Sequence, residues 1–284
     1  MVSIQATTAR RREIAAIVAR ESVDTLVGRM SGIRVAAARA LLRPMAHVVA
    51  GRFAEYDRVL GEAGPHRGSR HIVGRETGGL VVRGSEHVPA SGPLLVVANH
   101  PGLTDAVALL AALGRDDAWV VAAEYPFLRA LRQASRRFIF VGDGHLARRS
   151  ALRRIVAHLR LGETVLLFPA GGLEPDPAVG AADARQSVDT WSASIGLIAR
   201  LARGTTVLPA AVVGAVSRVA FDHPFAKRRS STRERQRMAA LLQIAFSAFQ
   251  KQQVCVRFGE AIPYGTPDVH GRVMSAMGVL IAAP

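Results

Sequence analysis

The order of apolar and polar residues divides the chain into two regimes. Up to about residue 62, apolar residues recur at helical spacing: Ile14, Ile17 and Val18, then Leu26 and Val27, then the Ala-rich stretch 33–49. Spacings of three and four predict two or more helices, arranged as a hairpin. Residues 61–77 are rich in Gly, His and Arg and predict a connecting loop. From residue 78, short apolar runs alternate with stretches of helical period. The runs predict strands over 80–83, 94–98, 119–122, 138–141, 165–168, 207–213 and 254–258. The stretches between them predict helices over 105–113, 126–134, 147–161, 190–202 and 232–251. Such alternation implies βαβ units. The expected fold class is α/β: a largely parallel central sheet flanked by helices. Residues 1–62 form an N-terminal helical extension to a main domain over 63–284.

Composition adds bounds. Apolar residues are 49% of the chain and aromatics 5%, so a full core is available and is built mostly of Ala, Val and Leu. The formal charge is +15, carried almost wholly by Arg, with Lys only at positions 227 and 251. A surface this positive attracts phospholipid head groups, coenzyme A phosphates or nucleic acid. No recognition fold or aromatic interleaving supports the last, so no nucleic-acid partner is expected. Ten Arg stand against five acids in residues 1–58. This fits a basic amphipathic element on an anionic membrane surface, or equally a hairpin packed on the main domain with a solvated Arg face. The single cysteine, Cys255, excludes an internal disulfide and a cysteine-based zinc site, and fits the reducing cytoplasm. Arg10, Arg11 and Arg12 lead into amphipathic sequence, so no signal peptide is expected. No run of about 18 apolar residues occurs, so no transmembrane helix is expected.

Some signals carry little. Ser192-Ala-Ser194-Ile-Gly196 misses the nucleophile elbow, because Ser192 stands where a Gly belongs. His145, His158 and His223 lack metal-ligand spacing. Arg233, Arg235 and Arg237 open a helix and read as a face that is solvated or lies on lipid.

The informative run is Leu94-Leu-Val-Val-Ala-Asn-His-Pro-Gly-Leu-Thr-Asp105. A buried strand ends at Asn99, His100 follows, Pro101-Gly102 turn the chain, and Thr104 or Asp105 caps a helix. Five residues apart, His100 and Asp105 would not share a helix face. Across a strand–turn–helix corner they can meet. A carboxylate on one imidazole nitrogen fixes the tautomer, and the other nitrogen can then take a proton. An Asp cap beside an incidental loop His is the plainer reading of the same spacing.

With its neighbours, this run resembles the His-x4-Asp motif of the glycerol-phosphate and lysophospholipid acyltransferase family. Glu124-Tyr-Pro-Phe-Leu128, Arg137-Phe-Ile-Phe-Val141, Leu167-Phe-Pro-Ala-Gly171, Gly196-Leu-Ile-Ala199 and Val207-Leu-Pro-Ala-Ala-Val212 resemble further family blocks in order, covering about residues 78–215. The resemblance implies that His100 is a catalytic base oriented by Asp105. It implies an acyl donor, acyl-CoA or acyl carrier protein, and a lipid-type acceptor, with no metal or bound cofactor. It places substrate-binding residues at Asn99, Pro101, Gly102, Thr104, Phe168, Pro169, Ala170, Gly171, Gly172 and Glu174. The family's Phe-Pro-Glu-Gly glutamate is Ala170 here, its Thr-Arg positions are Gly172 and Leu173, and the Arg usual after the Phe-Ile block is replaced by Gly142-Asp143-Gly144. These departures remove groups that would hold an acceptor phosphate. Arg148, Arg149, Arg153 or Arg154 could take their place, although a solvated face is the better reading of the four. Glu174 could replace the missing carboxylate only by a loop shift. Backbone amides at Gly171 and Gly172 are candidate oxyanion donors. The expected setting is cytoplasmic, peripheral on the inner face of the plasma membrane. A catalytically retired lipid-binding protein on the same fold is the alternative.

Overall fold

The computed structural model describes residues 14–17 and 33–283; the expected helical positions Val18, Leu26 and Val27 lie outside them. Among these residues one seven-stranded sheet runs in the order β1-β7-β6-β2-β5-β3-β4. The strands are β1 (Leu80–Arg83), β2 (Leu94–Ala98), β3 (Ala118–Ala123), β4 (Phe138–Val141), β5 (Thr164–Leu167), β6 (Thr206–Val213) and β7 (Val254–Phe258). Neighbours among β6, β2, β5, β3 and β4 are parallel; β7 runs antiparallel to β6 and parallel to β1. The largely parallel α/β architecture is the expected one.

The central strand explains itself. All five residues of β2 are buried and apolar, as a strand covered on both faces requires. Leu95 and Val97 enter a cluster with Ile155, Leu159, Ile195 and Met277, whereas Leu94, Val96 and Ala98 enter another with Leu109, Leu110 and Val73. The first layer holds α4 (His145–Arg160), α5 (Pro177–Val188), α6 (Ser194–Leu201) and α10 (Val269–Ala282). The second holds α1 (Ile33–Glu76) and α2 (Asp105–Leu113). Short helices α3 (Pro126–Ala130), α7 (Arg218–Phe221) and α8 (Pro224–Lys227), with the longer α9 (Thr232–Ala245), complete the chain.

The expected loop over 61–77 is helical instead. Gly64, at φ 79°, ends one piece of α1, and Pro65 opens the next with the fixed φ a first helical turn accepts. Helix α1 therefore passes position 62 without a linker. It is tied down by polar contacts: the His66 amide donates to Asp116 Oδ1 at 2.9 Å, and Asp57 Oδ1 accepts the amides of Gln133 and Ala134 at 2.7 and 2.9 Å. Helix α5 is not among the expected helices; Asp176 caps it by accepting the Ala178 amide, and Pro177 fills its first turn. Among the described residues no helix is long and apolar enough to cross a membrane, and no group of His, Cys, Asp and Glu could hold a metal ion.

Candidate active site

The carboxyl ends of β2, β5 and β6 converge on one corner. Asn99 is buried, and both ends of its amide are taken by one residue of β6: Nδ2 donates to the Val212 carbonyl at 3.0 Å and Oδ1 accepts the Val212 amide at 2.7 Å. Asn99 thus clamps two strand ends together instead of facing a ligand. Past it, His100 leaves the sheet and the buried Pro101-Gly102 turn follows.

Asp105, 1% exposed, is the first residue of α2. Its Oδ1 accepts the Ala106 amide at 2.7 Å, while Oδ2 accepts the Gly102 amide at 2.9 Å and faces His100 Nδ1 at 2.7 Å. The aspartate turns back into the corner, and Thr104, at the cap position, makes no capping bond; its hydroxyl donates to the Ala215 carbonyl at 3.4 Å. The spacing of five therefore acts across the corner and brings the two side chains together.

His100 keeps 27% of its side chain exposed, and only its Nδ1 is taken by Asp105. Phe168 stacks on the imidazole with centroids 4.5 Å apart. It can do so because β5 stops at Leu167, one residue short of the expected span, which releases the Phe168 ring from the sheet. Burial pushes the His100 pKa down, but the charge and hydrogen bond of Asp105, with the charge of Glu174, push it up further, so the imidazole titrates above its ordinary value.

The loop 168–174 is laced to the same corner. The Glu174 amide donates to the His100 carbonyl at 2.8 Å, and Glu174 Oε2 accepts the His100 amide at 2.9 Å. Glu174 Oε1 accepts from Trp191 Nε1 at 2.7 Å and Ser187 Oγ at 2.9 Å. The Glu174 carboxylate is therefore committed to the His100 amide, Trp191 and Ser187. At 3% exposure it is sealed beneath the corner as a brace. Its pKa is raised by desolvation, which outweighs the three donors. Pro169 is buried and its carbonyl accepts the Ser192 amide at 3.4 Å, and half-buried Ala170 packs on the first core cluster. Gly171, at φ 66°, closes a turn by donating to the Phe168 carbonyl at 3.2 Å, so its amide is not available as an oxyanion donor. Gly172 faces α9, where a Cβ would collide with the Arg233 guanidinium.

Sequence reasoning missed the support behind this loop. Asp176, fully buried, accepts the amides of Ala178, Gly214 and Val216 at 2.9, 2.9 and 2.8 Å. Desolvation raises its pKa against those bonds. Gln236 Nε2 donates to the carbonyls of both Pro101 and Glu174, and its Oε1 accepts the Asp176 amide at 3.1 Å. A buried Gln within the Arg-rich start of α9 gave no signal beyond its charged neighbours. Arg148, Arg149, Arg153 and Arg154 lie on the exposed face of α4, as the solvated reading expects.

Residues 79–213 match the protein-family model described as Acyltransferase. Among solved structures, the 1-acyl-sn-glycerophosphate acyltransferase of Thermotoga maritima is 18% identical, with 99% of this chain and 96% of that chain covered at a TM-score of 0.44. A likeness that loose bears on neither substrate nor mechanism. Among curated proteins none matches this sequence.

Proposed function

We propose that the chain, whose residues 79–213 match the acyltransferase family model, moves a fatty acyl group from a thioester to a hydroxyl or amine of a lipid-type acceptor. The observation that carries this reading is the 2.7 Å contact between His100 Nδ1 and the buried Asp105 carboxylate, which leaves Nε2 for chemistry.

The acceptor hydroxyl gives its proton to Nε2 as its oxygen attacks the thioester carbonyl. Asp105 holds the tautomer that presents a lone pair at Nε2, and stabilises the imidazolium that forms. The tetrahedral intermediate collapses with cleavage of the C–S bond, and the imidazolium returns the proton to the departing thiolate. Ester and free thiol result, with no metal or bound cofactor taking part. The Gly172 amide, which has no acceptor among the described residues, is our candidate donor to the oxyanion. The thioester is acyl-CoA or acyl carrier protein; both are anionic and suit a chain of net charge +15.

We also propose that the protein works at an anionic membrane surface, on the inner face of the plasma membrane. Val219 and Phe225 are 67% and 57% exposed on α7 and α8, with Arg218, Lys227 and Arg228 exposed beside them. Apolar side chains ringed by cations are what a headgroup layer accepts.

Incubation with radiolabelled acyl-CoA and a bacterial lipid extract tests the reaction. The expected result is a new labelled lipid with one thiol released per acyl group transferred. Retained lipid without turnover would replace the enzyme by the lipid-binding alternative.

A further inference from the structure

Arg233 stands on α9 with its guanidinium over Gly172, in space that any side chain at position 172 would occupy. It is near enough to His100 for its charge to be felt there. Among the described residues it has no hydrogen-bond or ion-pair partner, although α9 and its surroundings offer acids. Each of those acids is engaged elsewhere. Asp105 accepts from His100, Gly102 and Ala106. Glu174 accepts from Trp191, Ser187 and His100. Glu234 accepts from Ser230, and Asp222 pairs with Arg218, Lys227 and Arg235. Five guanidinium donors are therefore left over above the loop that carries Gly172, near the proposed base. The side chain is exposed, unlike the buried surroundings that oxyanion stabilisation calls for. It suits an anionic group that stays partly in water.

We infer that Arg233, in the space left by Gly172, is the receptor for a phosphate group of a substrate, and so sets which substrates reach His100. A planar fork of donors matches phosphate oxygens in pairs. This inference rests on the acyl-transfer reading for its setting, but the anion site can be tested apart from turnover. The phosphate belongs either to the acceptor headgroup or to the arm of the thioester donor, and the two sources are separable.

Arg233→Gln, Arg233→Lys and Gly172→Ala are assayed with phosphate-bearing and uncharged acceptors. A second series uses acyl-CoA and a phosphate-free thioester of N-acetylcysteamine. Arg233→Gln should raise KM by about 10- to 100-fold for the phosphate-bearing member of one series, the worth of a lost charged hydrogen-bond pair. The uncharged member of that series should change by less than about twofold. The affected series names the source. Arg233→Lys should recover part of the loss, since it keeps the charge and loses the fork.

Gly172→Ala meets only the far end of a flexible side chain, and position 172 lacks the positive φ that would strain an alanine. It should displace the guanidinium and raise KM for the same phosphate-bearing member, and adding it to Arg233→Gln should raise that KM little further. Two further readouts are indifferent to a merely structural role. His100 is faced by Asp105, Glu174 and Arg233, and removing the cation should move the acid limb of the rate to higher pH. Inorganic phosphate should raise the melting temperature of the wild type and not of Arg233→Gln. Phosphate stabilisation that depends on Arg233, in a protein that transfers no acyl group, would keep the anion site and sink the enzymatic reading. Equal KM changes for charged and uncharged substrates, or phosphate stabilisation untouched by Arg233→Gln, would overturn the inference.

Discussion

Asp105→Asn is the sharpest perturbation of the corner, because every neighbour of that carboxylate is a donor. Oδ1 receives the Ala106 amide, and Oδ2 receives the Gly102 amide and faces His100 Nδ1. An asparagine must place its NH2 against at least one of them. If the NH2 points at His100, Nδ1 becomes the acceptor and the proton moves to Nε2, which abolishes the base. If it points at Ala106, two donors oppose each other in a buried site, at a cost of about 1–3 kcal/mol. In either case the charge that stabilises the imidazolium is gone. At an effective dielectric of about 20 and about 4 Å between charge centres, that attraction is about 4 kcal/mol. At 1.36 kcal/mol per decade this corresponds to about a 10³-fold loss of rate. Thiol release from an acyl thioester reads it directly, once the single half-buried Cys255 has been blanked. The substitution should lower kcat by about 10³ while KM for the thioester moves little. Retention of more than about a tenth of the wild-type kcat would refute the orienting role.

The same pair fixes a pH dependence. His100 must be neutral to act, and its raised pKa places the acid limb of kcat/KM above the ordinary imidazole value of about 6.5; Asp105→Asn should move that limb down. Linkage has the opposite sign: stability from the charged pair is complete below about 6.5 and fades as pH rises through the folded-state value, so denaturation midpoints and rates should trend apart across that window. Glu174→Ala leaves the Trp191 indole and the His100 amide without acceptors, and should cost about 1–3 kcal/mol per orphaned donor in a denaturant titration; a shift under about 0.5 kcal/mol would remove its bracing role. Phe225→Glu should weaken binding to vesicles containing anionic phospholipid while leaving turnover of a water-soluble acceptor intact; unchanged sedimentation with vesicles would move the membrane face elsewhere.

Much of the fold was legible because strands here are short apolar runs. The spans 80–83, 94–98, 138–141 and 254–258 coincide with β1, β2, β4 and β7, since each is a short run of β-branched, leucine and aromatic residues bounded by polar or turn-forming sequence. The stretch 61–77 was not, because Gly, His and Arg carry no helical period and its helix depends on packing of Ile72 and Val73 against the sheet layer. At the site, His100 and Asp105 were legible from a strand, a turn and a helix in series. Asp176, Gln236 and Arg233 were not. Asp176 follows the loop with no motif to mark it, and Gln236 and Arg233 reach the corner from α9, about sixty residues beyond the loop they meet. Only the tertiary arrangement shows which face of that helix turns inward. The same holds for Glu174, whose place against the His100 backbone is set by β2 and β5 lying side by side.

The reaction turns on removal of the acceptor proton by the His100 imidazole. His100→Ala in a single-turnover reaction with labelled acyl thioester and acceptor tests it most closely, with thermal unfolding measured on the same sample. The unfolding temperature should stay within a few degrees of wild type, and labelled product should fall by about 10²- to 10⁴-fold, the usual worth of a positioned base. Product formed at close to the wild-type rate by a folded His100→Ala protein would contradict it.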